Sequence, residues 1–444
     1  MGMILELCEK MEVNGTSRLQ ISVPEGWELR LLGELATIFS GGTPNRKNPE
    51  YWDGDIPWVT TTLIDGGEIF EANELITQKG LEGSSAKWCK AGTILMAMYG
   101  QGKTRGKVAL LGIDATINQA CAAIELSESC SREYVLHLLI SKYEHIRELS
   151  NSGGQENLSS GIIKHLEILL PPQKEQIIIA NVLSDTNALI TALEKLITKK
   201  QAIKSATMQH LLTGRTRLPQ FAQYPNGTLK NYKSSELGLI PEDWEVARLA
   251  QVAKVIDPHP SHRAPPEESY GVPFVGIGDL NESGELINSE VRRVNQSILQ
   301  EHSERYSLHN RPIGLGRVAS IGKVIRLLIG KEPYAISPTL GVIDGFACTN
   351  DFLFYYLKSE SVTEQFGQVM SGSTRSSVGM NVLKEILVVK ISSEEQISIA
   401  GILSDMDAEI GRLKQKLSKI RDIKQGMMQQ LLTGRIRLPV DHQP

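Results

Sequence analysis

Apolar residues return every three or four positions from Leu403 to Met427, the spacing that lines one face of a helix. Leu403, Ile410 and Leu417 alternate with Met406, Leu413, Ile420 and Met427, a run of a and d positions that predicts a coiled-coil seam. A second stretch keeps Leu183, Ile190, Leu193 and Ile197 but puts Thr186, Lys200 and Thr207 at matching positions, so its seam is less regular. The first helix is expected to begin after Pro171-Pro172, because proline suits the first turn and no later one. The second is expected to open at Ser393-Glu394-Glu395-Gln396 as a capping box, with Ser393 capping and Gln396 reaching back. Both should stop at Thr-Gly, with Gly214 and Gly434 left-handed and Pro219 and Pro439 beyond. Gly401, Gly411 and Gly426 each cost the second helix about 1 kcal/mol of propensity, which only tertiary packing offsets.

Charge sets the expected direction of pairing. In the second helix Glu394, Glu395, Asp405, Asp407 and Glu409 precede Arg412, Lys414, Lys416, Lys419, Arg421 and Lys424, with Asp422 the exception. In the first, Lys174 excepted, Glu175, Asp185 and Glu194 precede Lys195, Lys199, Lys200 and Lys204. This order suits each helix macrodipole. An antiparallel pair also sets acidic halves against basic halves, whereas a parallel pair opposes like charges. Each helix covers about forty residues, or roughly 60 Å at 1.5 Å per residue, enough to hold two domains at a fixed separation; a plain dimerisation coiled coil is the other reading.

The two helices belong to a longer duplication. LLTGRTRLP at 211–219 returns as LLTGRIRLP at 431–439, and the preceding fifty or so residues align at an offset of 220: Gln176, Ala180, Leu183, Ser184 and Asp185 recur at 396, 400, 403, 404 and 405. The start of the unit repeats too, Pro24-Glu25-Gly26-Trp27-Glu28 matching Pro241-Glu242-Asp243-Trp244-Glu245. Between these ends the copies agree only as a skeleton. Ile56-Pro57-Trp58-Val59 answers Val272-Pro273-Phe274-Val275, and Gly106-Lys107-Val108 answers Gly322-Lys323-Val324. Similar frames with divergent loops predict one fold reading two different targets.

Both variable segments read as short strands and turns with a few helices, with strands at Gly92–Tyr99 and Val108–Leu111 and helices at Tyr134–Arg147 and near Asp351–Lys358. Their loops carry side chains suited to bases and phosphates. The first has Thr43, Asn45, Arg46 and Lys47, then Gln101, Lys103, Arg105 and Lys107, then Gln155 and Asn157. The second has His259, His262 and Arg263, then Arg311, Arg317, Ser320 and Lys323, then Ser373, Thr374 and Arg375. Arginine and lysine pair with guanine edges or phosphates, and Asn or Gln pairs bidentately with adenine. Trp58 and Phe274 sit inside apolar runs and are expected in the core, as are Trp27 and Trp244 at the start of each unit.

Composition narrows the class. A 444-residue chain that is 41% hydrophobic is ample for two domains with helical connectors. No uninterrupted apolar run reaches membrane-span length, and no signal peptide is evident, so a cytoplasmic protein is expected. Five scattered cysteines (Cys8, Cys89, Cys121, Cys130 and Cys348) lack paired metal spacing and read as reduced thiols. The net charge of −4 weighs somewhat against nucleic-acid binding, so such contact must come from local basic loops or a larger assembly. His259 and His262 have no carboxylate or cysteine cluster to complete a metal site. Ala97–Thr104 (AMYGQGKT) resembles a phosphate loop but leads into a strand rather than a helix, and the second copy lacks it. Neither an amino-methyltransferase motif nor a glycine-rich loop for its methyl donor is present, and no catalytic or metal residue is assigned.

A tandem pair of variable domains, each followed by a long helix ending in LLTGRxRLP, resembles the specificity subunit of a type I restriction-modification system. Ser40-Gly41-Gly42-Thr43-Pro44 leading to Tyr51-Trp52-Asp53-Gly54-Asp55-Ile56-Pro57-Trp58, Pro171-Pro172-Gln173-Lys174-Glu175-Gln176 and Glu236-Leu237-Gly238-Leu239-Ile240-Pro241 carry the likeness further. It covers Val23 to about Pro439; the second helix start lacks the double proline, and residues 1–22 have no counterpart. The resemblance implies an α+β fold of two target-recognition domains, each followed by a long helix, the helices pairing as an antiparallel coiled coil with pseudo-two-fold symmetry. The expected division is an extension at 1–22, recognition domains at 23–170 and 240–389, spacer helices at 171–219 and 390–444, and a linker at 220–239. Each domain would read one half of a split site on double-stranded DNA, with no catalysis in this chain. Methylation subunits, two in number, would dock on the rod and bring restriction subunits into the complex. S-adenosylmethionine, ATP and Mg would belong to those partners, with no cofactor here and no membrane. Two alternatives remain: the specificity chain of a related system with a fused methylase-nuclease partner, and a coiled-coil adaptor joining two protein-binding domains.

Overall fold

A computed structural model describes residues 23–439, apart from 101–102, 150–156, 262, 288–289, 319, 331 and 372–376. Gln101, Gln155, His262, Ser373, Thr374 and Arg375 therefore lie outside the described residues. The chain forms two compact units, and each draws on both repeats: residues 1–193 with 416–444, and residues 194–415. Each variable domain thus packs with the front half of its own long helix and the back half of the other copy's.

In the first unit a five-stranded sheet runs in the order Ala36–Ser40, Cys121–Leu126, Ile94–Ala97, Val108–Leu111, Glu68–Ile69, antiparallel except for the last pairing. A four-stranded sheet runs Glu74–Ile76, Trp52–Val59, Ala115–Ile117, Trp88–Cys89. Strand alternation puts Leu95, Ala97, Ala109, Leu111 and Ala123 on one face of the larger sheet, in a core shared with Val59 and Ile117. Its other face, with Ile94, Met96 and Ile124, packs on the helix Arg132–Ser141. The expected single helix over 134–147 is two, Arg132–Ser141 and Tyr143–Leu149. Val108–Leu111 is a strand as the motif reading required.

The second unit repeats the frame. One sheet runs Ala253–Ile256, Leu340–Gly345, Ile313–Gly316, Val324–Arg326, and another Arg293–Val294, Val272–Val275, Ala335–Ile336. Trp58 and Phe274 are buried at equivalent strand positions, and Trp27 and Trp244 are buried at the start of each copy. Residues 220–239, read as a linker, hold a short helix, Pro219–Ala222, and one strand and the start of the next in the hairpin Tyr232–Ser235/Gly238–Pro241. This hairpin is pinned to the repeat start by Asn231 N donating to Glu242 (2.8 Å) and Lys230 pairing with Asp243 (2.7 Å).

The long helices are Gln173–Leu212 and Ser393–Leu431, and both end at glycines with φ +71° and +67°. The expected capping box is replaced by another arrangement. Ser392 is the cap, its hydroxyl accepting Glu395 N (3.3 Å), while Gln396 is buried and bonds Thr349 N (2.7 Å) and Ile391 O (2.9 Å). Within each unit the helix halves run antiparallel. In the first, Ile179, Ala180 and Leu183 share a core with Met427, Met428 and Leu431. In the second, Lys200 meets Glu409 (2.7 Å) and Lys204 meets Asp407, partner numbers falling as the chain advances. These are basic positions of one helix against acidic positions of the other, as the charge order predicts. Of the expected seam, Leu183, Leu193, Ile197, Leu403, Ile410 and Leu417 are buried, and Ile190, Met406, Leu413 and Ile420 are half-buried. By length and composition the first helix has an 18-residue window, mean hydropathy 1.3, apolar enough to cross a membrane. Its Ile179, Ala180 and Leu183 are instead part of the protein core.

Candidate nucleic-acid interface

Four main-chain hydrogen bonds recur between the units and place corresponding loops at the same edge of each frame. Ala97 N donates to Lys107 O (2.9 Å) and Gly106 N to Ala97 O (2.9 Å); Gly316 N donates to Lys323 O (2.8 Å) and Gly322 N to Gly316 O (3.1 Å). Met98 N donates to Ala120 O (2.8 Å) and Leu158 N to Met98 O (3.0 Å); Arg317 N donates to Thr339 O (2.8 Å) and Val378 N to Arg317 O (2.9 Å). Gly106 and Gly322 take the same left-handed turn, φ +85° and +78°. Met98 and Arg317, at corresponding places after the strands Ile94–Ala97 and Ile313–Gly316, thus meet Ala120 and Thr339 on one side and Leu158 and Val378 on the other.

In the first domain the structure brings Thr43 and Gln119 into side-chain contact at this edge. Asn45 is exposed and organises its own turn, its side chain accepting Lys47 N (3.0 Å) and its carbonyl the Trp52 indole N–H (3.2 Å). Arg46 is engaged inside the domain. It pairs with Glu74 and lies over Trp52 (4.0 Å to the ring centroid) and Trp58 (4.9 Å). Lys103 is exposed, and its carbonyl accepts the Tyr143 hydroxyl (2.6 Å). Arg105 and Lys107 are half-buried, and Asn157 is exposed beside the Leu158 anchor.

In the second domain Arg263 is exposed. Arg317, expected to face DNA, is buried. Its guanidinium bonds Val378 O (3.1 Å), Pro338 O (3.4 Å) and Asp257 (3.4 Å), and so ties three loops together from inside. Ser320 and Lys323 are half-buried in the hairpin turn, with Lys323 Nζ donating to Ile277 O (2.9 Å). Arg311 caps a short 3-10 helix with φ +53°.

Sequence reasoning missed a clasp built twice. Glu175, at the start of the first long helix, is buried; it accepts the Trp27 indole N–H (3.1 Å) and both arms of Arg437 (2.5 and 2.7 Å). Glu395 is buried likewise and accepts Trp244 (3.2 Å) and Arg217 (2.7 and 2.7 Å). Each arginine also lies over the tryptophan ring, at 5.6 and 5.5 Å. The arginine is the second one of LLTGRxRLP, so each copy's motif closes on the other copy's domain. A Cβ on Gly214 would sit 2.4 Å from Pro241, and one on Gly434 2.5 Å from Pro24, so the turn needs glycine for space as well as for φ. The recurrence of Trp, Glu and Arg at equivalent positions in both copies is the signal that could have found it.

A family model described as the type I restriction modification DNA specificity domain matches residues 24–205 and again 241–422. The type I restriction enzyme MjaVIII specificity subunit of Methanocaldococcus jannaschii is 24% identical over 432 residues, covering 94% of this chain and 95% of its own length. The MjaIX specificity subunit of the same organism is 22% identical over 426 residues, with the same coverage. Among solved structures, the S subunit of a type I restriction-modification system from M. genitalium superposes with a TM-score of 0.56 at 15% identity, over 94% of this chain and 98% of that one, which shows a common fold. With its specificity-domain match in both copies, this chain belongs to the type I restriction-modification DNA specificity family.

Proposed function

We propose that this chain is the non-catalytic recognition subunit of a type I restriction-modification complex. Each variable domain reads one half of a bipartite site on double-stranded DNA, and the paired helices set the unread gap and carry two methylation subunits, with restriction subunits joining through the complex. The observation that carries this reading is the recurrence of one frame with two different loop sets at the same edge. A frame repeated to its main-chain hydrogen bonds serves one kind of task, and loops that share none of its side chains serve two targets. Methyl transfer with S-adenosylmethionine, and ATP- and Mg-dependent cleavage, belong to the partners, in the cytoplasm. The acidic balance of the chain fits a subunit that binds DNA tightly only within the assembly.

Exchange of residues 240–389 for the second domain of another family member tests this in the reconstituted complex. One half of the methylated site should change and the other should stay. A swap that altered both halves would contradict independent reading, and a complex with no salt-dependent DNA affinity would leave an adaptor joining proteins.

A further inference from the structure

We propose that His302 and His259 are positioning residues for the second domain: a buried two-histidine hydrogen-bond chain holds residues 257–261 and the Arg263 carbonyl in the form presented to DNA. This rests on the DNA-reading role given above, and it adds two residues that make no base contact.

The hydrogen bonds fix the proton positions. Ile336 N–H donates to His302 Nδ1 (3.3 Å), and the Tyr306 hydroxyl lies at 3.2 Å from the same nitrogen. That nitrogen must therefore accept, so neutral His302 carries its proton on Nε2. Nε2 lies 3.2 Å from His259 Nδ1 and donates to it, which places the His259 proton on its own Nε2. From there it donates to Arg263 O (2.9 Å), with Ser261 Oγ at 2.7 Å accepting as well. The chain runs from the strand Ala335–Ile336, through the helix Gln296–Ser303, to the carbonyl of Arg263 with every donor matched. His259 N also donates to Asp257 Oδ1 (3.1 Å), and Asp257 pairs with Arg317, so the relay and the buried arginine hold one turn from two sides.

A further proton has no place in this chain. On His302 Nδ1 it would face the Ile336 N–H. Both histidines are buried, and Phe274 stands edge-on to His259 at 5.5 Å. The charged neighbours are Glu301 and Arg305 beside His302, which act in opposite directions, and Asp257 and Arg317 beside His259. Tyr306 and Tyr334, whose phenols burial pushes up, stay neutral. Burial, reinforced by His259, holds His302 down to about 4 from the ordinary 6.5. The depressed value means that the closed turn is fully favoured above about pH 6.5 and loses that advantage as pH falls toward 4. The first domain supplies an internal control. Beside Trp58, the counterpart of Phe274, it has the Gly42 carbonyl accepting the indole N–H (2.9 Å), a link with no group that titrates in this range.

Three readouts on the full chain in complex with its methylation partner test the role. Nitrogen-15 NMR of labelled histidine should find both rings as Nε2–H tautomers at pH 7.5; an Nδ1–H tautomer on either overturns the relay. Amide hydrogen exchange of the turn, corrected for intrinsic pH dependence, should report an opening equilibrium that rises on the order of 30-fold from pH 7.5 to 5.0. His302→Gln, whose amide can both accept and donate, should flatten that dependence. His302→Leu should lower discrimination against altered bases in the second half-site at least tenfold while leaving the first half-site unchanged, and His302→Gln should restore most of it. Equal loss at both halves, or no loss at either, overturns the positioning role. A wild-type complex that discriminates at neither half refutes DNA reading itself, and the tautomer and exchange results separate that outcome from failure of the relay.

Discussion

The two clasps share hydrogen-bond geometry but differ in exposure, and that difference predicts unequal responses to one substitution. Arg217 has a side chain only 5% exposed, against Glu395 at 3%, whereas Arg437 is 42% exposed against Glu175 at 1%. Arg217→Met keeps the aliphatic stem and leaves a buried carboxylate whose remaining partner is the Trp244 indole. Breaking a buried pair from one side costs about 3–5 kcal/mol, because the stranded charge must be desolvated alone. Arg437→Met strands Glu175 in the same way, but water can enter where the arginine was half-exposed. The loss there should be nearer the value of charged hydrogen bonds, about 1.5–3 kcal/mol. Arg217 additionally bonds the Asp243 carboxylate (2.9 and 3.2 Å), where Arg437 has the neutral Glu25 carbonyl (2.9 Å), which widens the gap. Urea unfolding of the full chain, with hydrogen exchange to locate the loss in residues 194–415 or outside them, measures both. Adding Glu395→Gln to Arg217→Met should recover part of the loss, since the amide oxygen still accepts from Trp244 and carries no charge. An Arg437→Met variant that loses as much as Arg217→Met, or a Glu395→Gln addition that worsens the loss, would refute the reasoning.

Two further outcomes follow. Gly401, Gly411 and Gly426 have open space where a Cβ would stand, so Gly→Ala at each should stabilise the isolated chain by about 0.5–1 kcal/mol, read as a raised urea midpoint; destabilisation would show that a helix backbone is needed unobstructed there. Four residues inserted after Leu196 add about one turn, roughly 6 Å, with the seam nearly in phase; methylation of a site library should then prefer a gap longer by one or two base pairs at about 3.4 Å each, and an active variant with an unchanged gap would remove the ruler role.

Local chemistry was legible where a residue's role follows from its neighbours in sequence. Pro171-Pro172 and the Thr-Gly stops mark the helix ends because proline and left-handed glycine act on their own backbone. Leu403, Ile410 and Leu417 are buried because a heptad pattern needs only a partner surface, whatever its identity. The charge order foretold Lys200 against Glu409 because it sums over whole helices. What stayed hidden depends on contacts across the chain. Glu175 and Glu395 have the positions of ordinary first-turn acids, yet each meets an arginine from the other copy, 262 or 178 residues away. Arg317 and Arg46 look in sequence like free basic side chains on polar loops. One is buried against Asp257 and the other paired with Glu74, because loops that must hold a shape recruit their own polar groups. The loop on which each basic residue sits was legible, and its contacts were not, since a loop arginine bound inward and one pointing outward have the same sequence.

Mapping methylated adenines across the source genome, with and without this chain, tests the central claim most directly. Two divergent loop sets on one repeated frame predict a chain-dependent motif in two short specified halves with an unread gap of fixed length. A chain-dependent motif that is short and uninterrupted, or no change in methylation when the chain is removed, would contradict the account.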